Sequence, residues 1–218
     1  MTFVDNQNIN VLNPEQTKAV DCNLGNKLIL AGAGSGKTRV LTYRVAKLID
    51  NFDVKPSNIL ALTFTNKAAN EMKQRIEELL KISTQGLWFG TFHGICRRFL
   101  KIHWNEAGIS QFYTILDAQD QLRIIKRLLK RDNIDENLYD PKSIQSFINN
   151  QKDKGLRTGK SDNDKYNEIF LEYEDIRRQT NSLDFADLIL TTYETLQKNS
   201  ELLKYYTERF KHIMVDEF

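Results

Sequence analysis

The sequence predicts an α/β fold, a parallel sheet covered by helices and interrupted by an inserted all-helical segment. Three observations predict it. Over the first hundred residues, short apolar runs alternate with stretches whose apolar residues recur at helical spacing, the pattern of strands joined by crossover helices. From about Asp117 to Phe210 the strand signal fades and helical spacing remains. A last short apolar run, Ile213-Met214-Val215, then reads as a further buried strand of the first sheet and leads into Asp216-Glu217.

Each element follows in order. Leu28-Ile29-Leu30 reads as a short buried strand running into a glycine-rich loop. Lys37 to Ile49 carries Val40, Leu41, Val45 and Leu48 on one helical face, and the polar stretch 51–58, with Pro56, is a loop. Ile59 to Leu62 is a second strand. Lys67 to Leu80 is a helix with Ala69, Met72, Ile76 and Leu79 inward. Leu87-Trp88-Phe89 is a third strand, followed by a helix from about Gly94 to His103. Later, Gln121 to Arg131 is amphipathic, Pro141 opens a helix as a good first-turn residue, and Tyr166 to Gln179 and Phe185 to Lys198 are further helices. Asn149 to Asp164, rich in Lys, Asp and Gly, reads as a surface loop. This order predicts one domain made of 1–95 and 201–218, with 96–200 inserted.

Composition narrows the classes. Of 218 residues, 40% are hydrophobic and 28% charged, which suits a globular chain with a real core. No apolar run approaches the roughly 20 residues of a membrane span. The N-terminus lacks the basic and apolar regions of a signal peptide, so a cytoplasmic location and no membrane partner are expected. Cys22 and Cys96 read as two separate thiols, and no zinc pattern occurs. A net charge of +2 permits a nucleic-acid partner without demanding one.

Residues 31 to 38, Ala-Gly-Ala-Gly-Ser-Gly-Lys-Thr, match the phosphate-loop pattern except that Ala31 stands for its first glycine. Glycines let the backbone amides turn inward around phosphate oxygens, and a helix N-terminus adds positive potential. The expected nucleotide contacts are Ala33, Gly34, Ser35, Gly36, Lys37, Thr38 and Arg39. Lys37 reaches the β- and γ-phosphates, and the Thr38 hydroxyl ligates Mg2+. An ordinary glycine-rich turn is the alternative, and the Lys-Thr pair weighs against it. Asp216-Glu217, at the end of an apolar run, supplies the carboxylates such a site needs. Asp216 holds Mg2+, and Glu217 orients and deprotonates the attacking water. Lys37, Asp216 and Glu217 are therefore the expected catalytic residues.

Other blocks narrow the field further. Leu12-Asn13-Pro14-Glu15-Gln16 precedes the loop, Thr63-Phe64-Thr65-Asn66-Lys67-Ala68-Ala69 follows the second strand, and Gly90-Thr91-Phe92-His93 follows the third. Leu183-Asp184-Phe185-Ala186-Asp187-Leu188 comes later, before Val215-Asp216-Glu217-Phe218. In this order the blocks resemble the Q motif, motifs I, Ia, Ib and Id, and the start of motif II of UvrD/Rep/PcrA-type superfamily 1A DNA helicases. The resemblance covers nearly the whole chain. It implies a RecA-like P-loop NTPase sheet (subdomain 1A) with the helical insertion as subdomain 1B. It also implies ATP and Mg2+ as cofactors, and an ATP-dependent 3′→5′ motor acting on single-stranded DNA at duplex junctions, alongside repair or replication proteins.

The resemblance also assigns roles. Gln16 would read the adenine edge, since an amide both donates and accepts. From the residues alone it is equally a capping-box glutamine behind Asn13 and Pro14. Phe64, Thr65, Asn66, Thr91, Phe92 and His93 would contact DNA by base stacking and phosphate bonds, although residue type alone would place Phe64 in the core and make Asn66 a helix cap. Asp184 reads as a helix cap. Arg123, Lys126, Arg127, Lys130 and Arg131 read first as a solvated face. In the family the motifs continue past motif II into a second RecA-like domain whose arginines complete the ATP site. The stretch to Phe218 alone is therefore expected to bind nucleotide weakly and hydrolyse little. Two other readings stay open, a naturally short nucleotide- or DNA-binding interaction module and the N-terminal part of a helicase-nuclease subunit.

Overall fold

The computed structural model describes residues 12–23, 25–84, 86–158 and 164–216. In chain order its elements begin with α1 (Pro14–Val20), α2 (Lys37–Asp50), β1 (Ile59–Thr63), α3 (Asn66–Leu80), β2 (Trp88–Thr91) and α4 (Phe92–Ile102). They continue with β3 (Thr114–Leu116), α5 (Ala118–Arg131), α6 (Pro141–Asp153), α7 (Asp164–Gln179), β4 (Ser182–Asp184), α8 (Phe185–Lys198), α9 (Ser200–Arg209) and β5 (His212–Val215). The chain divides into two compact units, Met1–Ile95 with Glu201–Phe218, and Cys96–Ser200.

The first unit is built on a parallel sheet of order β2-β1-β5. β1 is the middle strand, with Leu60 opposite both Trp88 and Ile213, and Leu62 opposite both Gly90 and Val215. Ile59 and Ala61 are fully buried, as a strand flanked on both edges and covered by helices should be. One apolar cluster joins Val45 and Leu48 of α2, Ile59 and Ala61 of β1, Met72 and Ile76 of α3, and Leu87 and Phe89 at β2. A second, smaller one joins Val20 of α1 to Val40 and Tyr43 of α2. The helix α2 therefore buries two faces, which accounts for apolar residues outside the single stripe read from its sequence.

An aromatic cluster anchors the return of the chain. Trp88 meets Tyr206 and Phe210 edge to face, with centroids 5.6 and 5.3 Å apart, and the Arg209 guanidinium lies 5.4 Å from the Trp88 ring centroid. These contacts seat α9, an element that sequence periodicity did not separate, and aim the chain into β5.

Two strand expectations change. Leu28, Ile29 and Leu30 form no strand and are 65, 46 and 85% exposed. β5 does form, but Ile213 is 61% exposed and no residue of the strand is buried. The cause is shared. Apolar composition marks a segment that can be buried, but burial needs a neighbour on each side. A cavity of about 570 Å³ separates residues 27–29 from α2 and β5. Among the described residues no strand pairs with the outer edge of β5.

The second unit packs α5, α6 and α7 around Ile125, Leu128, Leu129, Ile144, Ile148, Ile169, Phe170 and Tyr173. Its helices begin on side-chain caps. Asp117 accepts from the amides of Gln119 and Asp120, and Asp140 accepts from that of Ser143, just ahead of Pro141. The unit also holds a short parallel pair, β3 with β4, too brief to leave a strand signal. The expected surface loop at Asn149 to Asp164 is corrected in its first part. Asn149 to Asp153 belong to α6, and Gln151 and Lys152 are buried, the Lys152 ammonium turning inward to buried carboxylates. Cys22 and Cys96 are free thiols. Among the described residues no helix is long and apolar enough to cross a membrane.

Candidate nucleotide and nucleic-acid site

The phosphate loop leads directly into α2. Gly34 and Gly36 have φ of +75° and +84°, a backbone state that side chains disfavour, and Gly36 is the N-cap of α2. A glycine cap brings no side-chain oxygen, so no side-chain cap bond closes the first amides of α2. That end is left open for an anion. Ala33, Gly34 and Ser35 are exposed at the loop tip, while Lys37, Thr38 and Arg39 are half-buried in the first turn. The Lys37 ammonium folds back on its own loop, donating to the carbonyls of Ala31 at 3.2 Å and Gly32 at 3.1 Å.

Asp216 comes to this loop from 178 residues away. The ladder carries it there, its amide donating to Leu62 O at 2.9 Å just past the end of β5. Its carboxylate accepts the Thr38 hydroxyl at 2.8 Å. A hydroxyl and a carboxylate thus share one point beside the loop, both hard oxygen donors of the type Mg2+ takes. Glu217 lies outside the described residues.

Gln16 takes the capping role read from its neighbours. Asn13 Oδ1 accepts the Gln16 amide at 2.8 Å, and Gln16 Oε1 accepts the Asn13 amide at 3.0 Å, a complete capping box. The other end of the same side chain, Nε2, donates to Ser35 O at 2.8 Å, so it also touches the phosphate loop.

The other candidates sit at the same end of the sheet. β1 and β2 are adjacent and parallel, with Thr63 opposite Thr91, so the segments that follow them emerge side by side. Phe64 is 75% exposed, which overturns the core placement that residue type alone suggested. Thr65, rather than Asn66, caps α3, its hydroxyl accepting from the Ala68 amide at 3.1 Å. Asn66 is the first, exposed helical residue. Thr91 closes β2 and accepts from the Gly94 amide at 3.1 Å, so α4 begins at Phe92, two residues ahead of its expected start. Phe92 and His93 are exposed in its first turn. Helix N-termini and exposed rings at the carboxyl ends of parallel strands are the usual place for ligands in open α/β sheets.

A family model described as the UvrD/REP helicase N-terminal domain matches residues 12–218. The chain belongs to that family. Among similar proteins, DNA helicase II of Haemophilus influenzae (strain ATCC 51907 / DSM 11121 / KW20 / Rd) is 46% identical over 95% of this chain, and DNA helicase II of Escherichia coli (strain K12) is 43% identical over 95%. The ATP-dependent DNA helicase PcrA of Bacillus subtilis (strain 168) is 40% identical over all of it. In each case this chain spans about 30% of the relative's length.

One feature of this UvrD/REP-family chain went almost unsignalled by its residue pattern, a buried ionic cluster in the second unit. The Lys152 ammonium lies 2.6 Å from Asp184 Oδ2, 2.7 Å from Glu174 Oε1 and 3.0 Å from Asp187 Oδ1, all buried. Those three carboxylates are close enough together to hold a metal ion, and Lys152 occupies the place such an ion would take. Arg157 joins Glu174, Asp187 and Glu194, while Arg177 joins Glu174 and Asp187. Tyr173 donates to Asp184 at 2.8 Å, and burial next to that carboxylate raises its phenol pKa. Asp184 and Asp187 form a reciprocal capping box at the start of α8, which confirms the cap read at Asp184. The Asp-Phe-Ala-Asp spacing was the one local signal, and it pointed only to a cap. On α5 of the same unit, Arg123, Lys126, Arg127, Lys130 and Arg131 are all exposed, with Arg123 paired to Asp120 and Arg131 to Asp132 and Glu172.

Proposed function

We propose that this chain is the nucleotide-binding portion of an ATP-dependent DNA helicase that moves 3′→5′ on single-stranded DNA and opens duplex junctions. One observation carries the reading. The Thr38 hydroxyl and the Asp216 carboxylate, remote in sequence, meet at 2.8 Å beside an open helix N-terminus and Lys37. In this reading the first unit is subdomain 1A and the second is subdomain 1B. The amides of Ala33, Gly34, Ser35 and Gly36 and the start of α2, through Arg39, cradle the phosphates. Lys37 exchanges two loop carbonyls for phosphate oxygens, Gln16 reads adenine, and Glu217 takes the proton of the attacking water. Mg2+, held by Thr38 and Asp216, would neutralise phosphate charge at that point. Phe64, Thr65, Asn66, Thr91, Phe92 and His93 line the track for single-stranded DNA. The names of the helicase relatives support ATP and DNA as ligands, and they suit work in cytoplasmic DNA repair or replication with protein partners.

The test is ATP hydrolysis by the intact protein with and without single-stranded DNA. DNA should stimulate the rate severalfold, and Lys37→Ala should lower it about a hundredfold or more. An ATPase indifferent to DNA, or to loss of the Lys37 ammonium, would sink the motor reading.

A further inference from the structure

A cavity of about 340 Å³ lies wholly within the second unit, and its wall is rich in guanidinium groups. Arg157, Arg177 and Arg178 line it, together with Glu194, Ser110 and Asn181. The carboxylates Glu174, Asp184 and Asp187 of the buried cluster take no part in that wall. Among the described lining residues Glu194 is the one carboxylate, and Arg157 holds both of its oxygens at 3.0 to 3.2 Å.

A guanidinium has five N–H donors. Arg157 gives its own to Glu174, Asp187, Glu194 and Thr191. Arg177 is less fully engaged. Among the described residues each of its terminal nitrogens makes one bond, to Ser182 O at 2.9 Å and to Glu174 Oε2 at 3.0 Å, so each keeps a second N–H to give. The Arg178 guanidinium meets Asp175 at 3.6 Å with both side chains more than half exposed, a pairing worth little in water. Arginines in a last helical turn often serve the carbonyls there. At the end of α7 that need is already met, because Thr180, Asn181 and Ser182 donate to the carbonyls of Ile176, Arg177 and Arg178. The charges of Arg157 and Arg177 also oppose one another. An anion in the cavity would relieve that repulsion and take up the unused donors.

We infer that this cavity binds the phosphate group of a small phosphorylated compound, with Arg177 and Arg178 as its charged donors, which gives the second unit a ligand site of its own. The volume is at the small end for ligand sites, so it suits one phosphate with a small organic part rather than a polymer. Tyr113, also in the wall, offers a ring to that organic part.

The test is a titration of inorganic phosphate, into the millimolar range, with the intact protein carrying Lys37→Ala, so that the phosphate loop does not dominate the signal. Hydrogen exchange resolved by segment reads the site. Amides of 107–113 and 178–183 should exchange about threefold more slowly, or slower still, when phosphate is present. Adding Arg178→Gln should weaken the phosphate dependence about tenfold. Its urea midpoint should match that of the Lys37→Ala parent, since the Arg178 side chain is exposed. Arg178→Lys keeps the charge without the planar fork and should recover part of the loss. A single-stranded oligonucleotide without terminal phosphates supplies phosphodiesters alone. If it protects these segments and inorganic phosphate does not, a small ligand is overturned in favour of nucleic acid. Phosphate that leaves their exchange unchanged, or slows it equally in the Arg178→Gln protein, overturns the site.

Discussion

Phe64 follows a strand whose inward residues Ile59, Ala61, Leu62 and Thr63 are all buried, yet its own ring stands 75% in solvent. Such exposure costs roughly what burying a large apolar side chain would return, about 2 kcal/mol, and a base stacked on the ring would recover much of it. Phe64→Ala is therefore expected to weaken single-stranded DNA binding about tenfold, measured by fluorescence anisotropy, while unfolding free energy stays within about 0.5 kcal/mol. Unchanged DNA affinity would remove Phe64 from the track. The loop glycines separate in the same way. At Gly36 the φ of +84° and the close approach of Gln16 both oppose a side chain, whereas a Cβ on Gly32 meets nothing within 4 Å. Gly36→Ala should destabilise the first unit by about 1 to 2 kcal/mol, and Gly32→Ala by less than about 0.5, as read by urea unfolding of the nucleotide-free protein. Equal effects would show that neither the φ nor the contact matters.

At the level of elements, the buried ions decide how α6, α7, β4 and α8 meet. Lys152 on α6 serves carboxylates from the other three, so Lys152→Met would leave Glu174 and Asp187 to their arginines and Asp184 with no cation, only neutral donors such as the Tyr173 hydroxyl. Breaking a buried pair from one side costs about 3 to 5 kcal/mol, and that loss is expected in urea unfolding of the second unit. A cost below about 1 kcal/mol would make the cluster incidental. The carboxylates titrate in opposite directions. Burial pushes Glu174 up, but the Arg177 and Lys152 cations outweigh it and bring it down to about 2 from the usual 4.5. Asp187 is raised by burial, which its neighbouring cations only partly offset. A depressed carboxylate adds stability above its unfolded pKa and loses it as pH falls through the folded value, so the Glu174 contribution should fade between about pH 4.5 and 2. Asp187, raised, adds no such acid lability. Glu174→Gln should be less stable than wild type at pH 7 and flatter in thermal midpoint across that window. A variant as steep as wild type would place the acid sensitivity elsewhere. These same elements show what a sequence reveals. The phosphate loop, Gln16, the strand-end blocks and Asp216 were legible because each is short and its chemistry demands particular residue types. Lys152 and Arg157 were not, since a long cation in a polar stretch looks solvated and the nearest of their partners lies 17 residues away. Leu28-Ile29-Leu30 misled for the converse reason, since apolar character states a preference and a neighbouring strand has to meet it.

The whole molecule is assembled out of chain order. Its first unit needs segments from both ends of the described chain, because β5 pairs with β1, and Tyr206 and Phe210 pack on Trp88. The second unit has a continuous chain, its own apolar core and its own ions. Ending the chain at Ser200 should therefore abolish cooperative unfolding of the first unit, since β1 becomes an edge strand and Trp88 loses its aromatic partners. A transition of the second unit should survive, and the two are separable by hydrogen exchange resolved by segment. Full protection of β1 in the shortened chain would show that β5 and α9 are dispensable. The 178-residue gap between Thr38 and Asp216 also has a meaning in time. During synthesis at about 5 to 20 residues per second, the threonine leaves the ribosome roughly 10 to 40 seconds before the aspartate that joins it. For that interval the growing chain carries a phosphate loop without its partner carboxylate, while the whole second unit emerges and can fold. The two halves of the site can meet only after that unit is out, so the scaffold is made before the Thr38–Asp216 contact can close.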